Sequence, residues 1–163
     1  MIWEDPYLYI LVRNDLTSLN AGKAVAQGAH AANQMVKEFA HSLCNHVPGY
    51  AALFEEWQSQ ANGFGTTITL SVNEQEMRTA VRVAQALDFH AGIMTDPTYP
   101  FEAPAELAKV LMQVGSDRGI IQARAASAAN PNALLLRPED VCAYVFGPKV
   151  ELSPILGRFP LMA

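Results

Sequence analysis

Two β-branched apolar runs separated by helical sequence constrain this chain most. Residues 7–12, YLYILV, are continuously apolar and are closed by RND, the composition of a buried strand. Residues 66–72, TTITLSV, carry a second strand pattern, with Ile68, Leu70 and Val72 on one face. Between them an alanine-rich segment from about residue 21 to about residue 41 has strong helix propensity, and Thr17, Ser18 and Asn20 offer oxygens to cap it. NHVPGY then punctuates the chain, AALFEEWQSQ predicts a shorter helix, and the glycines of ANGFG end it.

Further along, Asn73 can cap a helix with Glu74 and Glu76 in its first turn, and Met77, Ala80, Val81, Ala84 and Leu87 recur at core-facing spacing. HAGIMTDPTYP predicts a brief strand over 91–95, ending at Asp96 before two prolines. The second strand, this helix and the strand at 91–95 predict a parallel crossover, and ligands in such sheets sit beyond the carboxyl ends of the strands. The segment 101–137 reads as a helical insertion, with PAELAKVLMQVG one helix and RGIIQARAASAA a weaker one, and its apolar positions imply packing. VCAYVFGP supplies a last strand over 141–146, and the remaining residues hold too many breakers for a long helix. At 163 residues this is one α/β domain with a sizeable core.

With half its residues apolar and 17% charged, the chain is neither a disordered tail nor a coiled coil. A net charge of −5 weighs against a nonspecific nucleic-acid binder but leaves a local basic patch open. Cys44 and Cys142 are too few for a disulfide framework and read as buried, inert thiols of a reducing cytoplasm. Glu4 and Asp5 stand where a secretory leader places basic residues, and the apolar run beside them is too short for a membrane span, so a cytoplasmic protein without a membrane anchor is expected. His41, Cys44 and His46 lack a fourth metal ligand, and no phosphate loop or dinucleotide fingerprint appears. No metal or cofactor is therefore expected. Trp57 with Phe54 reads as core or interface packing.

The stretch AGKAVAQGAHAANQ bears the chemistry. At about 100° per residue, Lys23, Gln27, His30 and Gln34 fall on one helical stripe amid small residues. Lys23 lies in the opening turn, where the macrodipole disfavours a cation. A lysine held beside free backbone N–H groups makes a place for a phosphate or a developing oxyanion; a merely solvated lysine is the alternative. Gln27, one turn on, can orient a water or a carbonyl, or simply be exposed. His30, between alanines, reads as a semi-buried packing residue rather than a base. Asp96, at a strand end, either faces the same crevice or caps its turn, and Asp15 carries the same choice, with capping favoured.

Taken in order, YILVRNDL, GKAVAQGAHAA, TTITLSV, TDP and VFGP resemble the type 2 peptidyl-tRNA hydrolases, the family typical of archaea and eukaryotes. Its specific part is Gly-Lys-x-x-Ala-Gln-x-x-His-Ala, here Gly22 to Ala31. The resemblance implies a four-stranded mixed sheet flanked by helices, often a homodimer, that hydrolyses the ester joining a peptide to the terminal ribose of tRNA. Peptidyl-tRNA is then the partner. The family's proposed active-site groups carry over to Lys23, as oxyanion or phosphate stabiliser, Gln27, as positioner of the carbonyl, and Asp96, which would orient or deprotonate the water or hold Lys23 charged. Arg13, His30 and Thr98 are the expected substrate-binding residues, Thr98 through its hydroxyl. Where the family has a short Asp-Ala-Gly-Arg-Thr loop, this chain reads DPTYPF. Two further functions stay open beside the esterase: a noncatalytic RNA- or protein-binding module, and a hydrolase for another acyl substrate.

Overall fold

The computed structural model describes residues 5–40 and 49–162. The elements run β1 (Pro6–Arg13), α1 (Ala21–Glu38), α2 (Tyr50–Ser59), β2 (Thr67–Val72), α3 (Glu74–Ala86), β3 (His90–Pro104), α4 (Ala105–Val114), β4 (Ile121–Arg124), β5 (Asn132–Pro148) and α5 (Lys149–Leu156). They build a mixed sheet in the order β2-β1-β5-β3, with β4 pairing β5. β1 runs parallel to β2, Leu8 opposite Thr67 and Arg13 opposite Val72. On its other side β1 is antiparallel to β5, Leu8 opposite Phe146 and Val12 opposite Cys142. The four strands expected become five because residues 121–124 pair with β5, Ile121 opposite Leu136.

The chain divides into two compact units, one of Met1–Asp15, Leu19–Met94 and Val141–Ala163, the other of Leu16–Ser18 and Thr95–Asp140. In the first, β1 is buried on both faces, which explains its unbroken apolar sequence. One face carries Tyr9, Leu11, Leu70, Val72, Ala143 and Val145 against Met77, Ala80, Val81 and Ala84 of α3 and Leu152 and Leu156 of α5. On the other, Phe39 stacks on Phe54 at 4.5 Å and meets Phe146 edge-on, and Trp57 of α2 packs against Phe146 as well. Phe54 and Trp57 are therefore packing residues, one of the two alternatives expected for them. Leu87, expected in the core, is 56% exposed, because it caps α3 instead of continuing its buried stripe. The outer edge of β2 is covered by the chain end, Ser71 N–H donating to the Pro160 carbonyl and Met162 N–H to that of Thr69.

The second unit has its own small core of Ala103, Ala108, Ala133 and Leu135, flanked by Phe101, Leu111 and Met112. Its secondary structure corrects the sequence reading in three places. β3 does not stop at Asp96 but runs through Pro97 and Pro100, tolerable because β3 ends the strand order and a proline at a sheet edge forfeits no ladder bond. RGIIQARAASAA forms no helix: Ile121–Arg124 is an exposed strand, because pairing with β5 overrides alanine propensity and Asn130-Pro131 closes the segment. The last strand begins at Asn132, well before Val141. His41, Cys44 and His46 lie outside the described residues, and among the described residues no cluster of three or more His, Cys, Asp or Glu side chains is suited to a metal.

Gly65 shows how tightly the turn into β2 is packed. Its φ is +73°, and a Cβ there would stand 2.2 Å from Trp57 Cε2, while the Trp57 indole N–H donates to the Thr66 carbonyl at 2.9 Å. Gly65→Ala is expected to cost about 2–4 kcal/mol, from left-handed backbone strain plus overpacking. Urea denaturation measures it, and a change within about 0.5 kcal/mol, the range of an ordinary surface substitution, would contradict this account.

Candidate functional site

Helix α1 is anchored at its start, its middle and its end. Of the three oxygens offered for the N-cap, Asn20 is used: its φ/ψ is extended and its Oδ1 accepts from Lys23 N–H at 2.9 Å. No acidic side chain occupies the first turn, so Lys23 remains the anomalous cation there. In the middle, the Cys142 thiol donates to the Gln27 carbonyl at 3.3 Å, and burial pushes that thiol's pKa up to about 12. Cys142 is thus the inert thiol expected, and it works as a pin under the helix. At the end, the Tyr144 hydroxyl donates to the Glu38 carboxylate, which also accepts from the Gln34 amide. Burial and that carboxylate together push the Tyr144 hydroxyl pKa well up.

The polar stripe sorts itself differently from the sequence expectation. Gln27 is only 9% exposed and continues, one turn at a time, into the fully buried Ala31 and Met35. Lys23 is half-buried at the open end of the same line. His30, expected semi-buried, is exposed, because it lies farther round the wheel from the face that packs on the sheet. The ridge is therefore neither a solvated edge nor a single polar surface. Lys23 and Gln27 belong to the packed face, and His30 does not.

At the carboxyl end of β1 lies an arrangement the sequence reading did not foresee. Arg13 is 5% exposed, and its Nε donates to Asp15 Oδ1 at 2.8 Å while its Nη2 lies 3.2 Å from Asp15 Oδ2 and 3.4 Å from Glu74 Oε2. Asp15 also accepts from Glu74 N–H at 3.2 Å. Its carboxyl is held below the usual range, first by the hydrogen bond from Arg13, against a smaller upward push from burial. The Arg13 guanidinium, expected among the substrate-binding groups, joins β1 to the start of α3. Asp15 caps, the favoured of its two readings. Glu74 was legible only as a helix-start acid; that it faces Arg13 is set by the parallel register of β1 and β2.

In the second unit, Asp96 and Thr98 sit together on β3. Asp96 Oδ1 accepts from Thr98 N–H at 2.9 Å and from its hydroxyl at 3.3 Å. The Thr98 hydroxyl therefore orients the carboxylate. Beside them Thr95 donates to Asp140 Oδ1 at 2.5 Å, a pairing across 45 residues of chain that no local motif announces.

A mixed α/β sheet whose first strand leads into a helix carrying Lys23 and Gln27 places the chain in a narrow class. Residues 7–112 match the family described as peptidyl-tRNA hydrolase PTH2, and the chain belongs to that family. No curated protein matches it at a significant level. Among solved structures, a protein of unknown function from Agrobacterium tumefaciens strain C58 is 12% identical, with 98% of either chain covered and a TM-score of 0.45. A likeness that distant says nothing about the reaction. No helix among the described residues is long and apolar enough to cross a membrane.

Arg13→Leu leaves Asp15 and Glu74 without their shared cation. Because both carboxylates are more than a third exposed, the expected loss is about 1–3 kcal/mol, below that for a fully buried pair. Asp15's folded pKa lies below its ordinary 3.8, so its share of the stabilisation is present above that pH and lost as pH falls through the folded value. Denaturant titrations of both proteins should therefore converge in strong acid. A gap that stays constant with pH would assign the loss to packing alone.

Proposed function

We propose that this protein hydrolyses the ester between a peptide and the terminal ribose of tRNA. The observation that carries the proposal is Gln27, a buried polar side chain one turn below a half-buried Lys23, inside the helix pattern by which the family resemblance is read. Placing a lysine in the first turn of a helix opposes the macrodipole. That cost is understandable if Lys23 meets the negative charge of a substrate or of the oxyanion formed from it.

Ester hydrolysis requires a positioned water and stabilisation of the oxyanion that forms when water adds to the carbonyl carbon. Lys23 is assigned to the oxyanion, where its ammonium and the positive end of α1 act with the same sign. Gln27 is assigned to the substrate carbonyl, through its amide donor. Asp96 is assigned to the water, accepting its proton as the C–O bond forms; that proton then goes to the departing ribose oxygen. Thr98 keeps the Asp96 carboxylate oriented. His30, exposed on α1, is left with at most an outer contact to the RNA. As in many members of the family, the working form is proposed to be a cytoplasmic homodimer.

Release of free tRNA from an N-acylated aminoacyl-tRNA tests the proposal. Lys23→Ala is expected to lower kcat by about 100- to 1,000-fold, the usual loss for one oxyanion donor, with Asp96→Asn and Gln27→Ala also impaired. A folded wild type without activity would overturn the esterase. If it still binds the RNA, the noncatalytic module takes its place, a reading favoured by the replacement of the family's loop with DPTYPF. Equal activity in all four proteins would remove these residues from the mechanism.

A further inference from the structure

Beside the Arg13 network the first unit opens into a crevice of about 660 Å³, lined among others by Asp15, Asn73, Glu74, Arg78, Arg82 and Ile93. Its acidic groups are already matched. Asp15 and Glu74 share the buried Arg13, and Glu74 Oε1 also accepts from Arg78 Nε at 2.9 Å. The start of α3 is occupied too: Asn73 Oδ1 accepts from Glu76 N–H, Glu76 Oε2 from Asn73 N–H, and Asp15 from Glu74 N–H. What the crevice offers a ligand is therefore its side chains and not a bare helix end. Arg82, one turn beyond Arg78 on the same wall, is exposed, and no ion pair or hydrogen bond ties it among the described residues. Two guanidinium groups and two carboxylates line the crevice, and both carboxylates are also paired with the buried Arg13 behind it.

We infer that this crevice receives a phosphodiester segment of the RNA substrate, with Arg82 as the cation that meets the phosphate and Arg78 beside it. The inference rests on the RNA-ester reading above. A guanidinium presents a planar fork of donors that fits phosphate oxygens. Thr79 and Gln75, which also line the space, add neutral polar groups, and Ile93 gives it an apolar wall. That mixture and that volume suit a sugar–phosphate segment, of which an inorganic phosphate would fill only a small part. Contacts of this kind position a nucleic acid without reading its sequence.

Equilibrium binding of deacylated tRNA, followed by fluorescence anisotropy between about 50 and 200 mM salt, provides the test. The proteins are the wild type, Arg82→Gln, the double variant Arg78→Gln/Arg82→Gln, and Lys109→Gln, which removes a cation outside the crevice. The slope of log affinity against log salt is expected to fall by about 1 for Arg82→Gln and about 2 for the double variant, with affinity about three- to tenfold weaker per arginine. Lys109→Gln should match the wild type. Circular dichroism confirms that each protein is folded. Equal slopes and affinities in all four proteins overturn the inference. So does a wild type that binds inorganic phosphate, lost in the double variant, while tRNA binding ignores both arginines; the crevice then belongs to a free anion. Arginine-dependent tRNA binding by a protein that releases no tRNA from the ester would sustain this site and sink the hydrolase.

Discussion

The buried guanidinium of Arg13 is the interaction on which the candidate site most depends. β1 is the inner strand of its unit, hydrogen-bonded to β2 on one side and to β5 on the other, and Arg13 closes its carboxyl end. A cation withdrawn from water at that place must be paired, and Asp15 and Glu74 pair it from two directions. One carboxylate belongs to the turn leaving β1, the other to the first turn of α3. The ion cluster therefore fixes where the chain departs from the sheet and where α3 begins. It also uses up the acidic groups that would otherwise repel an anion at this end of the sheet.

Helix α1 is positioned by a different balance. Its body is alanine and glycine, which brings it close to the sheet: a Cβ on Gly28 would lie 3.9 Å from Ile10 Cγ2. Small residues supply little side-chain packing of their own, so the pins matter. The Asn20 cap, the Cys142 thiol under Gln27 and the Tyr144 hydroxyl on Glu38 hold the start, middle and end. With the helix held at three points, the depth of Gln27 and the half-exposure of Lys23 are consequences of backbone placement.

Much of the first unit was legible in the sequence because its signals are local. YLYILV and TTITLSV read as strands since a buried strand needs continuous apolar or β-branched residues, and Asn20 and Asn73 read as caps since their side chains satisfy N–H groups a few residues away. The second unit was misread where tertiary pairing outweighed propensity. An alanine-rich stretch after Ile121 looked helical, and the prolines after Asp96 looked like an end to the strand. Edge position and pairing with β5 reversed both. In the site, Lys23 and Gln27 stood out from spacing alone, whereas the exposure of His30 and the capture of Arg13 did not.

The sequence by itself determined the first two strands, the capped helix after the first of them and the pattern that marks the family, because each rests on periodicity and chemistry within a turn or two of chain. Only the tertiary structure decided which side of α1 is buried and which carboxylates neutralise Arg13. Those outcomes depend on residues far apart in the chain, Arg13 with Glu74 and Gln27 with Cys142. Their meeting is set by strand register, and a single sequence carries no local trace of register between strands joined by a long crossover.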